Sequence, residues 1–326
     1  MASQGRGEPA VYGRVFALPF DSPASPAEPD TVDSLRTLRD FLRWGASRFA
    51  GAGLFFGHGT AGAADEAAVL LAHVLHLDLP LPVDFLDAAL TAQERAAVAA
   101  LFARRIDERL PAPYLTGEAW FAGLRFAVDR RVLIPRSPIA ELIESGFQPW
   151  LDEVEPERIL DIGTGSGCIA IACALAFPGA RVDAVDISAD ALEVAATNVA
   201  RYGLDERVRL LRSDLYAALA GQRYDLIVSN PPYVPDAEYA TLPEEYRHEP
   251  RGALVSAEGG LEHPLRILRG AAQHLTEGGL LVLEVGASWP ALAERLPEVP
   301  FTWVELARGG EGVAVISREE LLAAGL

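Results

Sequence analysis

The sequence predicts an α/β fold, a mostly parallel sheet covered by helices on both sides, set behind a small helical domain. Three observations carry this expectation. After Pro156, short apolar runs alternate with helical patterns almost without interruption. A glycine-rich turn, "GTGSG", joins the first of those runs to the first of those helices. Ahead of both, apolar residues recur at helical spacing. A chain of 326 residues has room for one large domain and a smaller one.

Residues 1–30 are rich in proline, serine and alanine and are expected to form a flexible arm. Residues 31–110 carry three helical stripes: Leu35, Leu38, Leu42 and Phe49; Leu70, Leu71, Val74 and Leu77; and Val98, Leu101, Phe102 and Ile106. Thr91 followed by Glu94 reads as a capping box that opens the third helix. Residues 111–145 form a bridge whose short extended pieces, "EAWFAG" and "LRFAVDRRVLIP", suggest a hairpin turning near Ala122-Gly123. Ser137-Pro138 then looks like an N-cap with proline at the first helical position. Residues 146–326 form the large domain. "RILDI", "RVDAVDI", "RVRLL", "YDLIVS", "GLLVLEV", "FTWVEL" and "GVAVIS" are its strands, and helices are expected over Cys168–Ala176 and Ala189–Tyr202. The stretch from Pro231 to His263 is too long for an ordinary connection, and long loops in compact domains tend to be functional.

In a doubly wound sheet the glycine turn lies at the carboxyl ends of the strands, where ligands bind. Its sequence separates three ligands. A phosphate-binding loop needs Gly-Lys-Ser/Thr, and the chain contains no lysine. A dinucleotide loop needs glycine or alanine at the sixth position from Gly163, where Cys168 stands. The pattern present is D-x-G-x-G-x-G, with Asp161 ahead of Gly163, Thr164, Gly165, Ser166 and Gly167. A carboxylate there suits a ligand carrying an ammonium and a sulfonium, which points to S-adenosylmethionine. Asp186 ends the second strand where a carboxylate accepts ribose hydroxyls, and Asp214 ends the third, within reach of an adenine amino group.

The fourth strand runs into Asn230-Pro231-Pro232-Tyr233. Proline lacks an N–H and pushes the residue before it toward extended geometry, so this loop is stiff and presents carbonyl acceptors. The Asn230 side-chain oxygen and the Pro231 main-chain oxygen can each take one N–H of a planar primary amide. The same arrangement suits an exocyclic amine such as adenine N6. Tyr233 would pack its ring against the target group. The reaction is then an in-line transfer of methyl to nitrogen that needs no metal and no strong base.

Charge narrows the partners. At net −18, with arginine as the only basic residue type besides histidine, the chain has no evident phosphate-tracking cluster and suits a basic protein better than nucleic acid. Arg104-Arg105 reads as a solvated face. His73 and His76 read as exposed helix residues rather than metal ligands, and no metal site is expected. Cys168 and Cys173 read as two buried thiols of a cytoplasmic protein. No apolar run is long enough to cross a bilayer, and Met1 to Pro9 is polar, without the charged-then-apolar order expected of a secretory signal.

"DIGTGSG", "AVDIS", "SDL" and "SNPPYV" resemble the glutamine N(5)-methyltransferases that modify translation proteins. "FFGHGT", "YLTGEAWFAGLRFAVDRRVLIPRSPI", "GSGCIAIACA", "LPEEYRHEP" and "PFTWVELARGGEGV" resemble the branch acting on the third large-subunit ribosomal protein, over nearly the whole chain. The sister branch, which acts on peptide-chain release factors, shares the tetrapeptide and the Glu249-Pro250 pair. The resemblance implies the seven-stranded sheet of a class I methyltransferase, Rossmann-like, with the last strand antiparallel. It implies that Gly163 to Gly167, Asp186, Asp214, Leu215 and Asn230 line the cofactor. It places Asn230, Pro231 and Tyr233 on the target glutamine, with Arg136, His248 and Glu249 near the substrate, and makes the helical domain a recognition module. The competing readings are a release-factor methyltransferase, an adenine-N6 nucleic-acid methyltransferase, and a non-catalytic assembly factor that keeps the pocket.

Overall fold

The structure, a computed structural model, describes residues 29–151 and 155–326. All but the last two residues of the expected arm lie outside the described residues.

Three helices, Leu38–Gly51, Ala63–Leu75 and Ala92–Asp107, form the first layer. Two of them start on a capping box. At Thr91 the hydroxyl accepts the Glu94 N–H at 3.3 Å, and the Glu94 carboxylate accepts the Thr91 N–H at 2.7 Å. Thr37 and Asp40 repeat the device. Each cap stabilises its helix by about 1 kcal/mol. The apolar stripes meet in a core of their own around Phe41, Trp44, Phe49, Leu70, Leu71, Val98 and Phe102. Trp44 stacks on Phe102 with ring centroids 5.9 Å apart. Gly45 sits where the helices cross, and a methyl group there would overlap the Phe102 ring.

The adjacent arginines of this layer part company, which corrects the expectation of a solvated pair. Arg104 lies on the surface, bonded to Glu108 one turn on at 2.9 Å. Arg105 is fully buried. It donates at 2.6 Å to Glu66 of the neighbouring helix and at 2.9 Å to the Phe55 carbonyl, and approaches Glu245 of the large domain at 3.4 Å. A buried guanidinium is tolerated here because two carboxylates and a carbonyl surround it.

The bridge contains the expected hairpin. Strands β1 (Glu118–Phe121) and β2 (Leu124–Ala127) pair antiparallel through a two-residue turn. Ala122 and Gly123 both have positive φ, 47° and 71°, as a tight turn of this twist requires. The short helix Ile139–Glu144 follows, and Ser137 Oγ accepts the Ile139 N–H at 3.2 Å.

The large domain is one seven-stranded sheet. Its strands are β3 (Arg158–Ile162), β4 (Arg181–Asp186), β5 (Val208–Arg212), β6 (Tyr224–Ser229), β7 (Leu275–Glu284), β8 (Thr302–Trp303) and β9 (Val313–Ser317). They lie in the order β5-β4-β3-β6-β7-β9-β8, and β9 runs antiparallel to both neighbours. "FTWVEL" contributes only Thr302 and Trp303 as strand, because this edge segment finds register with β9 over two residues alone. Alternate strand residues feed two cores. Ile159, Val182 and Val228 pack under the helices Cys168–Ala176 and Ile139–Glu144, while Leu160, Ile227 and Leu281 face the helix Glu262–His274. Both cysteines are free and buried. The long stretch after Pro231 folds into short helical turns, Asp236–Tyr239, Glu244–His248 and Arg251–Leu254. The chain reverses its spatial order at β3, so the loops after β3, β4 and β6 converge on one edge of the sheet.

Candidate active site

β3 gives way at Ile162 to Gly163 and Gly165, with φ of 74° and 55°, a conformation that side chains resist. The Gly163 and Thr164 N–H groups both donate to the Val185 carbonyl at 2.9 Å, which ties the loop to β4. Asp161 braces it from behind. One carboxylate oxygen accepts from Thr164 Oγ1 at 2.5 Å and from the Ala170 N–H at 3.1 Å; the other has no protein partner among the described residues. Burial raises this carboxyl to about 7, against the pull of those two donors. Asp186, at the end of β4, accepts the Gly165 and Ser188 N–H groups at 2.9 Å each. Burial raises its pKa and the N–H groups oppose the rise.

These loops wall a cavity of about 340 Å³. Gly163, Gly165, Asp186, Asp214, Leu215, Asn230, Pro231 and Pro232 all line it. Asp161, Thr164, Ser166 and Gly167 do not: they lie behind the loop and shape it. Asp214 is braced by Arg266 at 2.7 Å. Leu133, Ile187 and Ala253 had no separate signal in the sequence; they add to the wall from the bridge, from just after β4 and from the segment after Pro231.

A second cavity, of about 300 Å³, lies against the first. Arg136, Tyr233, Tyr246 and Glu284 line it, while Leu133, Asn230, Pro231 and Ala253 border both. Asn230 and Pro231 are therefore a party wall between two chambers. The Tyr233 hydroxyl donates to Glu284 at 2.9 Å, and Ser288 Oγ donates to the Tyr233 carbonyl at 2.9 Å. Glu284 also accepts from Ser137 Oγ, and burial raises its carboxyl to about 7 against those donors. Glu284 was legible only as an acid at the end of an apolar strand, a weak signal beside the tetrapeptide. His248 and Glu249 line neither chamber. Glu249 lies beneath, accepting a fork from Arg136 at 2.7 and 2.8 Å.

A larger cavity, about 680 Å³, opens among Arg158, Arg181, Asp183 and Arg209 at the opposite, amino-terminal end of the strands and gathers none of the expected site residues. Among the described residues no group of three or more acidic, histidine or cysteine side chains could hold a metal ion, and His73 and His76 are exposed. No helix among them is long and apolar enough to cross a membrane.

The first chamber suits a cationic nucleoside. It offers a carboxylate, Asp186, at the end of the strand next to the glycine loop, and the orphaned Asp161 oxygen lies buried behind that loop. The sheet order, the glycine loop and these carboxylates define a class I S-adenosylmethionine-dependent methyltransferase, and S-adenosylmethionine is the methyl donor. Residues 147–246 match the family described as Methyltransferase small domain. The chain is 54% identical over 292 residues to the ribosomal protein uL3 glutamine methyltransferase of Xanthomonas campestris pv. campestris, an alignment covering 90% of this chain and 94% of that one. It is 51% identical over 295 residues to the same-named protein of Xylella fastidiosa strain Temecula1, with the same coverage of 90% and 94%. The chain belongs to the family of ribosomal protein uL3 glutamine methyltransferases. Among solved structures it is similar to the ribosomal protein L11 methylase of Lactobacillus delbrueckii subsp. bulgaricus, 23% identical, with a TM-score of 0.40 over 58% of this chain and 82% of that one.

Proposed function

We propose that the chain transfers a methyl group from S-adenosylmethionine to the side-chain amide nitrogen of a glutamine in ribosomal protein uL3, in the cytoplasm. The observation that carries this reading is the party wall: Asn230 and Pro231 border the cofactor chamber on one side and the slot holding Tyr233 on the other. A glutamine side chain entering the slot meets two carbonyl acceptors at that wall. The Asn230 Oδ1 and the Pro231 oxygen each take one N–H, which fixes the nitrogen and leaves its π-face toward the first chamber.

When bound, S-adenosylmethionine supplies an electrophilic methyl. The amide nitrogen held at the wall would accept that methyl and would then have one proton to lose. Glu284 on the slot wall, its carboxyl raised to about 7, is an acceptor for that proton within a bonded pair with Tyr233. Gly163, Gly165, Asp186 and Asp214 hold the cofactor, with Asp161, Thr164, Ser166 and Gly167 keeping the loop in shape. Arg136 faces the substrate, and Glu249 sets Arg136. The net charge of −18 favours approach of a basic ribosomal protein.

The test is a labelled methyl-transfer assay with uL3 and a peptide-chain release factor side by side, the modified residue being located by mass spectrometry. Methyl on a uL3 glutamine is expected. Label on the release factor alone would reassign the substrate, and label on nucleic acid would overturn the reading. Asn230→Ala is expected to lower kcat by about a hundredfold or more while leaving cofactor affinity within a few-fold, because its oxygen acts on the nitrogen in the transition state.

A further inference from the structure

His58, in the middle of "FFGHGT", lines neither chamber, yet its side chain is 1% exposed. Neither of its ring nitrogens has a hydrogen-bond partner among the described residues. Its Nε2 stands 3.5 Å from a Glu249 carboxylate oxygen. The ring packs on Tyr246, centroids 4.6 Å apart. A buried imidazole without hydrogen-bond partners is a costly filler, and an aliphatic side chain would serve packing better. What it faces is therefore the informative part.

Glu249 is completely buried and joins three parts of the chain. One of its oxygens accepts the Ile134 N–H of the bridge at 2.9 Å and one arm of Arg136 at 2.7 Å. The other accepts the second arm at 2.8 Å and faces His58. Burial works to raise this carboxyl, but His58 and Arg136 outweigh it and hold it at about 2. The Arg136 guanidinium lies 5.3 Å over the Tyr246 ring and borders the slot. Without His58, the second oxygen faces only the Arg136 arm, and the carboxylate gains freedom to rock about its arginine fork. The seam between the layers does not depend on this contact, because Arg105 already ties Glu66 of the helical layer to Glu245 of the large domain.

We propose that His58 is a positioning residue: from the helical layer it fixes Glu249, and through Glu249 it sets the Arg136 guanidinium at the slot wall for the incoming substrate segment. The slot is thus completed by the layer that does not carry the chemistry. The inference rests on the methyl-transfer reading of the slot, and its test separates the two.

His58→Ala and His58→Gln are compared with the parent in the full chain. In His58→Ala the KM for uL3 is expected to rise about tenfold, with the affinity for S-adenosylmethionine unchanged. Glutamine, whose amide can donate to Glu249, is expected to restore most of the loss. In ¹⁵N-arginine NMR, with the Arg136 signal assigned by Arg136→Lys, the guanidinium should rotate slowly in the parent, freely in His58→Ala and slowly again in His58→Gln. Unchanged KM and rotation in His58→Ala would overturn the proposal. So would equal impairment of both variants with a matching loss of thermal stability, since that is the mark of packing alone. If the parent methylates no uL3, the functional reading falls, and the arginine signal still decides the role of His58.

Discussion

Replacing Arg105 by alanine removes the guanidinium that the buried carboxylates Glu66 and Glu245 share. The guanidinium makes a 2.6 Å bond to Glu66, a 2.9 Å bond to the Phe55 carbonyl and a 3.4 Å contact with Glu245. Burial already raises the Glu66 carboxyl against the attraction of Arg105. Its removal leaves two acids and a carbonyl short of a donor in a place water does not reach. Breaking a buried pair by deleting one partner costs about 3–5 kcal/mol. That is a large share of the roughly 5–15 kcal/mol that stabilises a domain. Since Glu245 belongs to the large domain and Glu66 to the helical layer, the loss falls on the seam between them. Urea unfolding followed by circular dichroism and tryptophan fluorescence is expected to split into two transitions, the earlier one reported by Trp44 in the helical core. Adding Glu66→Gln and Glu245→Gln to Arg105→Met should recover more than half of the loss, because the cost is stranded charge rather than lost volume. A loss under about 1 kcal/mol for Arg105→Ala, or no recovery on neutralisation, would refute the reasoning.

Three further outcomes follow from the site. Asp161, raised from 3.8 to about 7 by burial, stays protonated in the folded chain where the unfolded chain ionises, so its contribution to stability is lost as pH rises from about 4 to about 7. Asp161→Asn should therefore gain in melting temperature relative to the parent across that window and hold the gain above it; the same variant should flatten the rise in S-adenosylmethionine affinity that calorimetry is expected to show through pH 7. Glu284→Gln is expected to lower kcat and erase a rise in kcat through about pH 7, because the carboxyl accepts a proton only once ionised; an unchanged profile would remove Glu284 from the proton path. Gly286→Ala would bring a methyl within 2.6 Å of the Tyr233 ring, so the KM for uL3 should rise several-fold while cofactor binding is kept, as parallel kinetics and calorimetry would register.

The parts of the site that could be read in advance are those set by local chain geometry. Glycines after a strand, aspartates at strand ends and a proline pair declare their conformation within a few residues, and Gly163, Asp186 and Asn230 stand together on one chamber as expected. The distinction between lining and supporting residues was not legible. Thr164 and Ser166 lie in the same short motif as Gly163 and Gly165 but turn inward, and only the tertiary course of the loop decides which way each faces. Long-range ion pairing was hidden for a different reason. Arg105 stands beside the exposed Arg104, and nothing near it in sequence announces Glu245, whose position depends on how the segment after Pro231 folds back. Edge strands were over-read for want of a neighbour: "FTWVEL" has strand-like residues along its length, but pairs with β9 over only two.

The party wall has a consequence for chemical intervention. Because Asn230 and Pro231 separate the two chambers, a single compound joining a nucleoside to a glutamine-like amide through a short tether would occupy both at once. The second moiety would bind at the effective concentration set by that tether, so the gain in potency over either half would be multiplicative. Selectivity would come from the half that enters the slot, where Arg136, Tyr233 and Tyr246 meet it, rather than from the half occupying the glycine-lined chamber.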